Sequence, residues 1–461
     1  MIITHRMMIT EKEIRIAKDC IAFAVANGAD AARVSLSKSV MDGYTLLNGE
    51  LDKVTHSADR SIYIYIYVDG RYGTFSTNRL EKNELEDFIL KAIEMARMLG
   101  EDTCRCLPDP ERTERNALTG RELDLYDEGY INSDAKKRLE KVRSMSICGN
   151  TVPCGEYSLI SEECEYSESV DDNYMTDSQG FEGRHTETMF YCFAEATIKA
   201  ADGCKYSGFW WEAAQKEADL DCSACSLRAL DKAVRQIGPK KRKSGSYRMV
   251  VDNSVATRLL APIASALNAS AIQQKVSFLD GTAGTKVFPE GMTLMDLART
   301  TGKSGSRLFD TEGVATTDSA IIEKGVVQKY FVNTYMSKKM GIPPTIEDLS
   351  RPVLMPYLKG EDLTADEKEV SLQSILRKCS NGILVTGFNG GNCNPVTGDF
   401  SFGIEGFAFS KGRLTHPVRE MLITGNIVTL WNSLIAAGND YRPSARWQIG
   451  TLAFENVSFS A

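Results

Sequence analysis

The sequence predicts an α+β fold: an N-terminal α+β domain, then a large, mostly antiparallel C-terminal β domain with flanking helices. Three observations lead there. The run Ile62-Tyr63-Ile64-Tyr65-Ile66-Tyr67-Val68 is rich in β-branched and aromatic residues and is closed by Asp69-Gly70, which marks a strand. Leu85, Phe88, Ile89, Ala92, Ile93, Ala96 and Leu99 recur at steps of mostly three and four, the spacing of one helical face. The C-terminal half alternates short strand-like runs with glycine-rich turns, among them Gly387-Phe-Asn-Gly-Gly391 and Phe400-Ser-Phe-Gly-Ile404.

In chain order, Thr10-x-x-Glu13 reads as a capping box that opens a helix, with Ile14, Ala17, Ile21, Ala24 and Val25 on one face and Asn27-Gly28 as its stop. A short strand over 32–36 follows. A hairpin of 44–47 and 51–55 then turns at Asn48-Gly49, and the 62–68 strand pairs with 71–75. Residues 101–118, rich in Asp, Glu, Arg, Thr and Pro, read as a linker. A helix after Ser133 carries Leu139, Val142 and Met145 on one side. Residues 157–211 read as a strand meander with polar turns at Asp171-Asp172-Asn173 and Ser178-Gln179-Gly180. A helix over 226–236 leads to Lys240-Lys241-Arg242-Lys243, four charges between turn residues and a second boundary. Beyond it a buried strand over 247–251 precedes a helical stretch over 253–274. The expected domains are therefore 1–100, 119–237 and 244–461.

At 461 residues, with 43% hydrophobic and 25% charged residues, the chain has the mixture of a multidomain globular protein. A net charge of −8 gives no field that would draw phosphate backbones or anionic lipid, so no direct nucleic-acid partner is expected. No run of about 18 apolar residues exists, and the first eight residues are too short for a signal peptide; the expected location is cytoplasmic, with no membrane partner. The twelve cysteines then read as reduced thiols, including the close pairs Cys104/Cys106 and Cys222/Cys225, neither of which has a zinc-knuckle or redox context.

The search for chemistry is mostly negative. The four histidines, His5, His56, His185 and His416, are too far apart in sequence to form a two-histidine zinc motif on one helix. His56 falls at the end of a strand, His185 in a charged turn and His416 before Pro417 in a hairpin. No GxSxG elbow occurs, and the glycines of 387–391 run on into Asn392-Cys393 without the Lys-Ser/Thr that a phosphate loop needs. Motifs alone leave the chemistry unassigned.

A resemblance goes further. Asn394-Pro-Val-Thr-Gly-Asp-Phe-Ser-Phe-Gly403, Gly406, Lys411-Gly412-Arg413, Pro417-Val418-Arg419, Ile423-Thr-Gly-Asn426 and Gly438-Asn439-Asp440 together resemble the C-terminal signature of the TldD/PmbA family. Phe309-Asp-Thr-Glu-Gly313 with Gly325, and the 62–75 segment with its following helix, resemble other parts of it. In the catalytic subunit of that family an HExxxH helix and a later cysteine hold zinc. The resemblance places the equivalent positions at Ala261, Pro262 and Ala266, which offer methyl groups and a pyrrolidine ring, and no cysteine follows Cys393.

What the resemblance implies is a metal-free subunit of the PmbA/TldE kind, with no catalytic or cofactor-binding residues of its own. Zinc would be carried by a TldD-like partner subunit, and extended peptides would be the substrate. Gly387, Gly390, Gly391, Phe400 and Phe402 are the candidate peptide contacts, the glycines for close backbone approach and the aromatics to flank the chain. Two alternatives stay open: an autonomous peptidase using His185 or His416, and a protein-binding regulator without enzymatic activity, in line with the family's older label as a modulator of DNA gyrase. Self-association into a homodimer is also open.

Overall fold

Thr10 opens the first helix, α1 (Glu11–Ala26), through a complete capping box: the Glu13 amide donates to its hydroxyl, and its own amide donates to the Glu13 carboxylate at 2.8 Å. Glu13 is itself buried because Lys38 reaches it at 2.8 Å. The computed structural model describes residues 8–148, 157–361 and 369–461. They divide into two units, one of Met1–Val234 with Arg299–Thr316 and Thr334–Ile342, the other of Arg235–Ala298, Thr317–Asn333 and Pro343–Ala461.

The first unit is built on one six-stranded antiparallel sheet, β1 (Ala31–Leu47), β2 (Glu50–Val68), β3 (Arg71–Thr77), β4 (Tyr157–Asp177), β5 (Glu182–Ala200) and β6 (Lys205–Ala214), in the order β3-β2-β1-β4-β5-β6. Residues on both sides of 101–118 thus contribute to a single sheet, through the long β1–β4 ladder. Helix α1 and α2 (Lys82–Arg97) cover the Val34, Leu36, Ile62, Ile64 and Ile66 face, while α3 (Ala135–Met145) packs across β1 and β4 and α4 (Cys225–Val234) on β5 and β6.

Three sequence expectations are corrected here. The 32–36 strand, the 44–55 hairpin and the 62–68 strand are one long hairpin, β1 and β2, paired from Ala31↔Tyr67 to Leu47↔Glu50. Its turn is Asn48-Gly49, with φ of 52° and 82°, the two left-handed residues that a two-residue hairpin turn requires. Asp171-Asp172-Asn173 is no turn but the interior of β4. Asp172 lies there fully buried, accepting from Arg184 (2.6 Å), Thr186 (2.8 Å) and the Ile9 amide (2.7 Å), so its charge is neutralised. Residues 101–118 are not a free spacer: Leu107 and Ala117 are buried, and Glu114 holds the Arg115 and Asn116 amides and the Arg299 guanidinium.

The second unit begins with β7 (Gly245–Val251). The expected 253–274 helix is two helices, α5 (Thr257–Ala266) and α6 (Ala269–Gln273), because Asn268 caps the second by accepting from the Ser270 amide. A small sheet of β8 (Leu294–Asp296), β9 (Ser319–Glu323), β10 (Val326–Val327) and β11 (Pro352–Leu354) has the order β10-β9-β8-β11. Helix α7 (Thr334–Met340) belongs to the first unit. The main sheet contains β12 (Tyr357–Leu358), β13 (Gly382–Cys393), β14 (Asp399–Ser410), β15 (Arg413–Asn426), β16 (Leu434–Ala437) and β17 (Leu452–Ser460), flanked by α8 (Leu372–Cys379) and α9 (Ile427–Asn432). Its order is β12-β16-β17-β15-β14-β13-β7, and β17 also pairs with β7, so five strands close into a ring. The β7–β13 pair is parallel; the other pairs in this sheet are antiparallel. No helix among the described residues is long and apolar enough to cross a membrane.

Replacing Arg184 by alanine leaves Asp172 buried without its counter-charge, and urea unfolding should show a loss of about 3–5 kcal/mol. Removing the exposed Lys82–Glu86 pair should leave the midpoint unchanged. The first unit is also expected to be acid-sensitive. Burial alone would raise the Glu13 and Glu162 carboxyls, but hydrogen bonds from Lys38 and Thr10, and from Ile147, Ser146 and Cys148, outweigh it and hold both below the ordinary 4.5. Carboxyls depressed on folding stabilise the fold fully above 4.5 and progressively less as pH falls through their folded values. Unfolding midpoints measured from about pH 7 to about pH 3 should fall over that acid window, less steeply in Glu162→Gln.

Candidate functional site

Helix α5 is apolar on the side that meets the closed sheet, where Leu259, Leu260, Ile263, Ala264 and Ala266 are buried. The Trp431 indole donates to the Leu259 carbonyl at 3.1 Å and fixes the helix from beneath. Its other side carries Arg258, Ala261, Pro262 and Ser265. Pro262 lies inside the helix and has no N–H for the carbonyl four residues back, which is that of Arg258. Ala261 and Pro262 are half-buried and Ala266 faces the core. Zinc needs nitrogen, sulfur or carboxylate donors, and this helix has none at these positions, so the residues do not fit the ion.

Beside α5 lies the hairpin of β13 and β14. The Gly387–Gly391 run is strand rather than loop, interrupted by bulges at Val385/Gly387 and Asn389/Asn392. Gly390 and Gly391 have φ of 71° and 83°. A Cβ on Gly391 would overlap the Ser401 carbonyl, whereas one on Gly390 would meet open space. Strand β13 pairs with β7 only over Ile383 to Val385. From Thr386 to Cys393 its outer edge therefore has no strand partner among the described residues, and its main-chain groups can take an extended peptide.

Phe400 and Phe402 require a correction. They are 5% and 1% exposed and stack at 5.2 Å, with Phe388 edge-on to Phe402 at 5.7 Å. They belong to the core under the hairpin, because they alternate inward along β14, and cannot flank a bound chain. Sequence reasoning passed over Arg258. Its Nη2 donates to the Gly391 carbonyl at 2.8 Å and its guanidinium lies 5.0 Å from the centre of the Phe402 ring. The signal was present in its position four residues before Pro262, which puts the two on one helical face.

The signature residues turn out to hold turns. Asp440 accepts the Thr451 amide and hydroxyl, both at 2.7 Å, and the Leu372 amide at 2.9 Å; burial raises its carboxyl even against these donors. Asn426 caps α9 and donates to the Thr397 carbonyl at 2.8 Å.

Among the described residues the histidines do not assemble a centre. His56 is inside β2, paired with Asp42 at 2.8 Å, and His185 is on β5, not in a turn, 3.9 Å from Glu187. His416 is on β15; burial, then Lys240 and Arg242, push its imidazole down, so it is neutral near pH 7. His5 lies outside the described residues. Among the described residues no three His, Cys, Asp or Glu side chains group as metal ligands. The described cysteines are all free, and the Cys222 thiol, hydrogen-bonded to Cys192 and half-buried, is held far above the ordinary range and stays protonated.

The two glycines can be told apart by experiment. Gly390→Ala should cost only the strain of a left-handed alanine, about 1 kcal/mol, while Gly391→Ala, which must also move the β14 backbone, should lower the urea midpoint several-fold further.

Comparison with known proteins agrees with this architecture. Residues 244–461 match the PmbA/TldA metallopeptidase C-terminal domain, and residues 32–96 match domain 1 of the same family. A metalloprotease PmbA homolog of Haemophilus influenzae is 23% identical, covering 98% of this chain and 96% of its own length. Metalloprotease PmbA of Escherichia coli O157:H7 is also 23% identical, with 98% and 97% covered. A solved structure from Bacteroides thetaiotaomicron, described as a candidate modulator of DNA gyrase, is 38% identical with a TM-score of 0.91, covering 98% of this chain and all, 100%, of that one. TldE from Thermococcus kodakarensis shares the fold at 17% identity and a TM-score of 0.79, with 97% and 100% covered. With residues 32–96 and 244–461 both matching its domains and a relative of 38% identity along nearly the whole length, the chain belongs to the PmbA/TldD metallopeptidase family.

Proposed function

We propose that this chain is a non-catalytic subunit of a TldD/TldE-type zinc metallopeptidase, holding extended or unfolded peptides for a zinc-bearing, TldD-like partner. The observation that carries the reading is the composition of α5. Where the family's catalytic helix would present two imidazoles and a carboxylate, the resemblance aligns Ala261, Pro262 and Ala266. A proline at the position of the general base cannot move a proton, and neighbouring groups cannot replace two absent imidazoles and an absent cysteine. The strand edge from Thr386 to Cys393 supports the peptide-holding half, since main-chain pairing grips a chain without reading its sequence. Free thiols throughout the described residues accord with a reducing, cytoplasmic setting. In the partner's absence the chain is free to self-associate as a homodimer.

Co-expression with a TldD-like subunit should yield a stable complex that hydrolyses unfolded peptide and contains one zinc per pair. The purified chain alone should hold no stoichiometric zinc and leave the same peptide intact. One tightly bound zinc per isolated chain, or peptide hydrolysis by it that is lost on substituting His185 or His416, would overturn the reading.

A further inference from the structure

We infer that Arg258 makes the open edge of β13 a site for the C-terminal end of a peptide, with the guanidinium taking the terminal carboxylate. The inference rests on the proposed peptide-holding role and adds direction and ligand chemistry to it.

The edge has a defined length. It opens where β7 stops pairing, after Val385, and its free main chain begins at Thr386. It closes at Gly391, because the carbonyl there already accepts from Arg258 at 2.8 Å. An added strand can pair along the residues between but must end beside the guanidinium. Either end of a peptide could lie there by geometry, and charge decides between them. An ammonium terminus would meet a like charge, whereas a carboxylate would meet a planar cation with two-pronged hydrogen-bonding capacity.

The guanidinium is prepared for that task. One N–H is engaged with Gly391, the guanidinium carbon lies 5.0 Å from the centre of the Phe402 ring, and the side chain is exposed. Among the described residues Arg258 forms no ion pair, so no carboxylate of the second unit competes for it. Two restraints on a long side chain lower the entropy lost when a ligand is bound. The bulge at Asn389/Asn392 and the left-handed Gly390 and Gly391 turn the strand at this point, which brings the Gly391 carbonyl toward the helix.

The test uses the full chain and an unstructured octapeptide carrying a fluorophore at its N-terminus, in three forms: free C-terminal acid, C-terminal amide, and free acid with alternate backbone nitrogens methylated. Fluorescence anisotropy should show the acid binding roughly tenfold more tightly than the amide. Arg258→Gln should abolish that difference while leaving amide binding in place, and Arg258→Lys should keep part of it. The methylated acid should bind more weakly than the unmethylated acid. If acid and amide bind equally in the unaltered chain while methylation still weakens binding, the edge holds peptides and the role of Arg258 is wrong. Equal binding by all three forms would overturn the edge site and the inference with it, and no binding of any form would overturn the peptide-holding function as well.

Discussion

Three residues of β7 set the geometry of the second unit. Met249, Val250 and Val251 are fully buried, pair in parallel with Ile383, Leu384 and Val385, and pair antiparallel with Leu452, Ala453 and Phe454. That double engagement closes the ring of strands, and all its members are apolar because both faces of β7 are covered. It also determines where β7 ends. The chain leaves at Asp252, whose amide donates to Val385, and turns into α5 at once. The helix is thereby delivered to the side of the hairpin, and β13 is left without a neighbour from Thr386 onward. The helix face and the open strand edge are two consequences of one short strand.

Helix α5 shows how packing alone can hold a helix in place against its own sequence. The inward face, Leu259, Leu260 and Ile263, supplies burial of several side chains at roughly 1.5–3 kcal/mol each. A proline inside a helix costs about 3 kcal/mol. The apolar face therefore outweighs Pro262, and packing rather than intrinsic propensity explains why a ten-residue helix with no side-chain cap persists. Nothing in that balance asks for polar groups on the outer face.

The local elements were legible in the sequence wherever short-range rules decide. The Thr10/Glu13 box, the Asn48-Gly49 turn and the three-and-four spacing of α2 each specify structure within one turn of chain. What misled were residues whose role depends on distant partners. Asp171-Asp172-Asn173 has turn composition, and only Arg184, Thr186 and Ile9 make Asp172 a core residue of β4. Glu114 makes 101–118 resemble a solvated linker until Arg299 is placed beside it. At the candidate site the glycines were visible because a left-handed φ needs them. Phe400 and Phe402 could not be assigned a side, since alternation gives two faces and not which one is buried. Arg258 had only its spacing to Pro262 as a local signal, and its importance comes from a carbonyl 133 residues away.

The charge on the α5 face bears on the proposed absence of zinc there. Arg258 is three residues from Ala261 and four from Pro262, so side chains at these positions are neighbours, with Cβ atoms about 5–6 Å apart. A guanidinium that close to a divalent cation would repel it, the more so at low ionic strength. A helix presenting imidazoles for zinc has reason to avoid arginine one turn away. A helix presenting alanine and proline has no such constraint, and a cation of its own becomes tolerable there. On the proposed reading, a surface with carbon at these positions suits an anion better than a metal, and the charge of the ligand it receives is reversed.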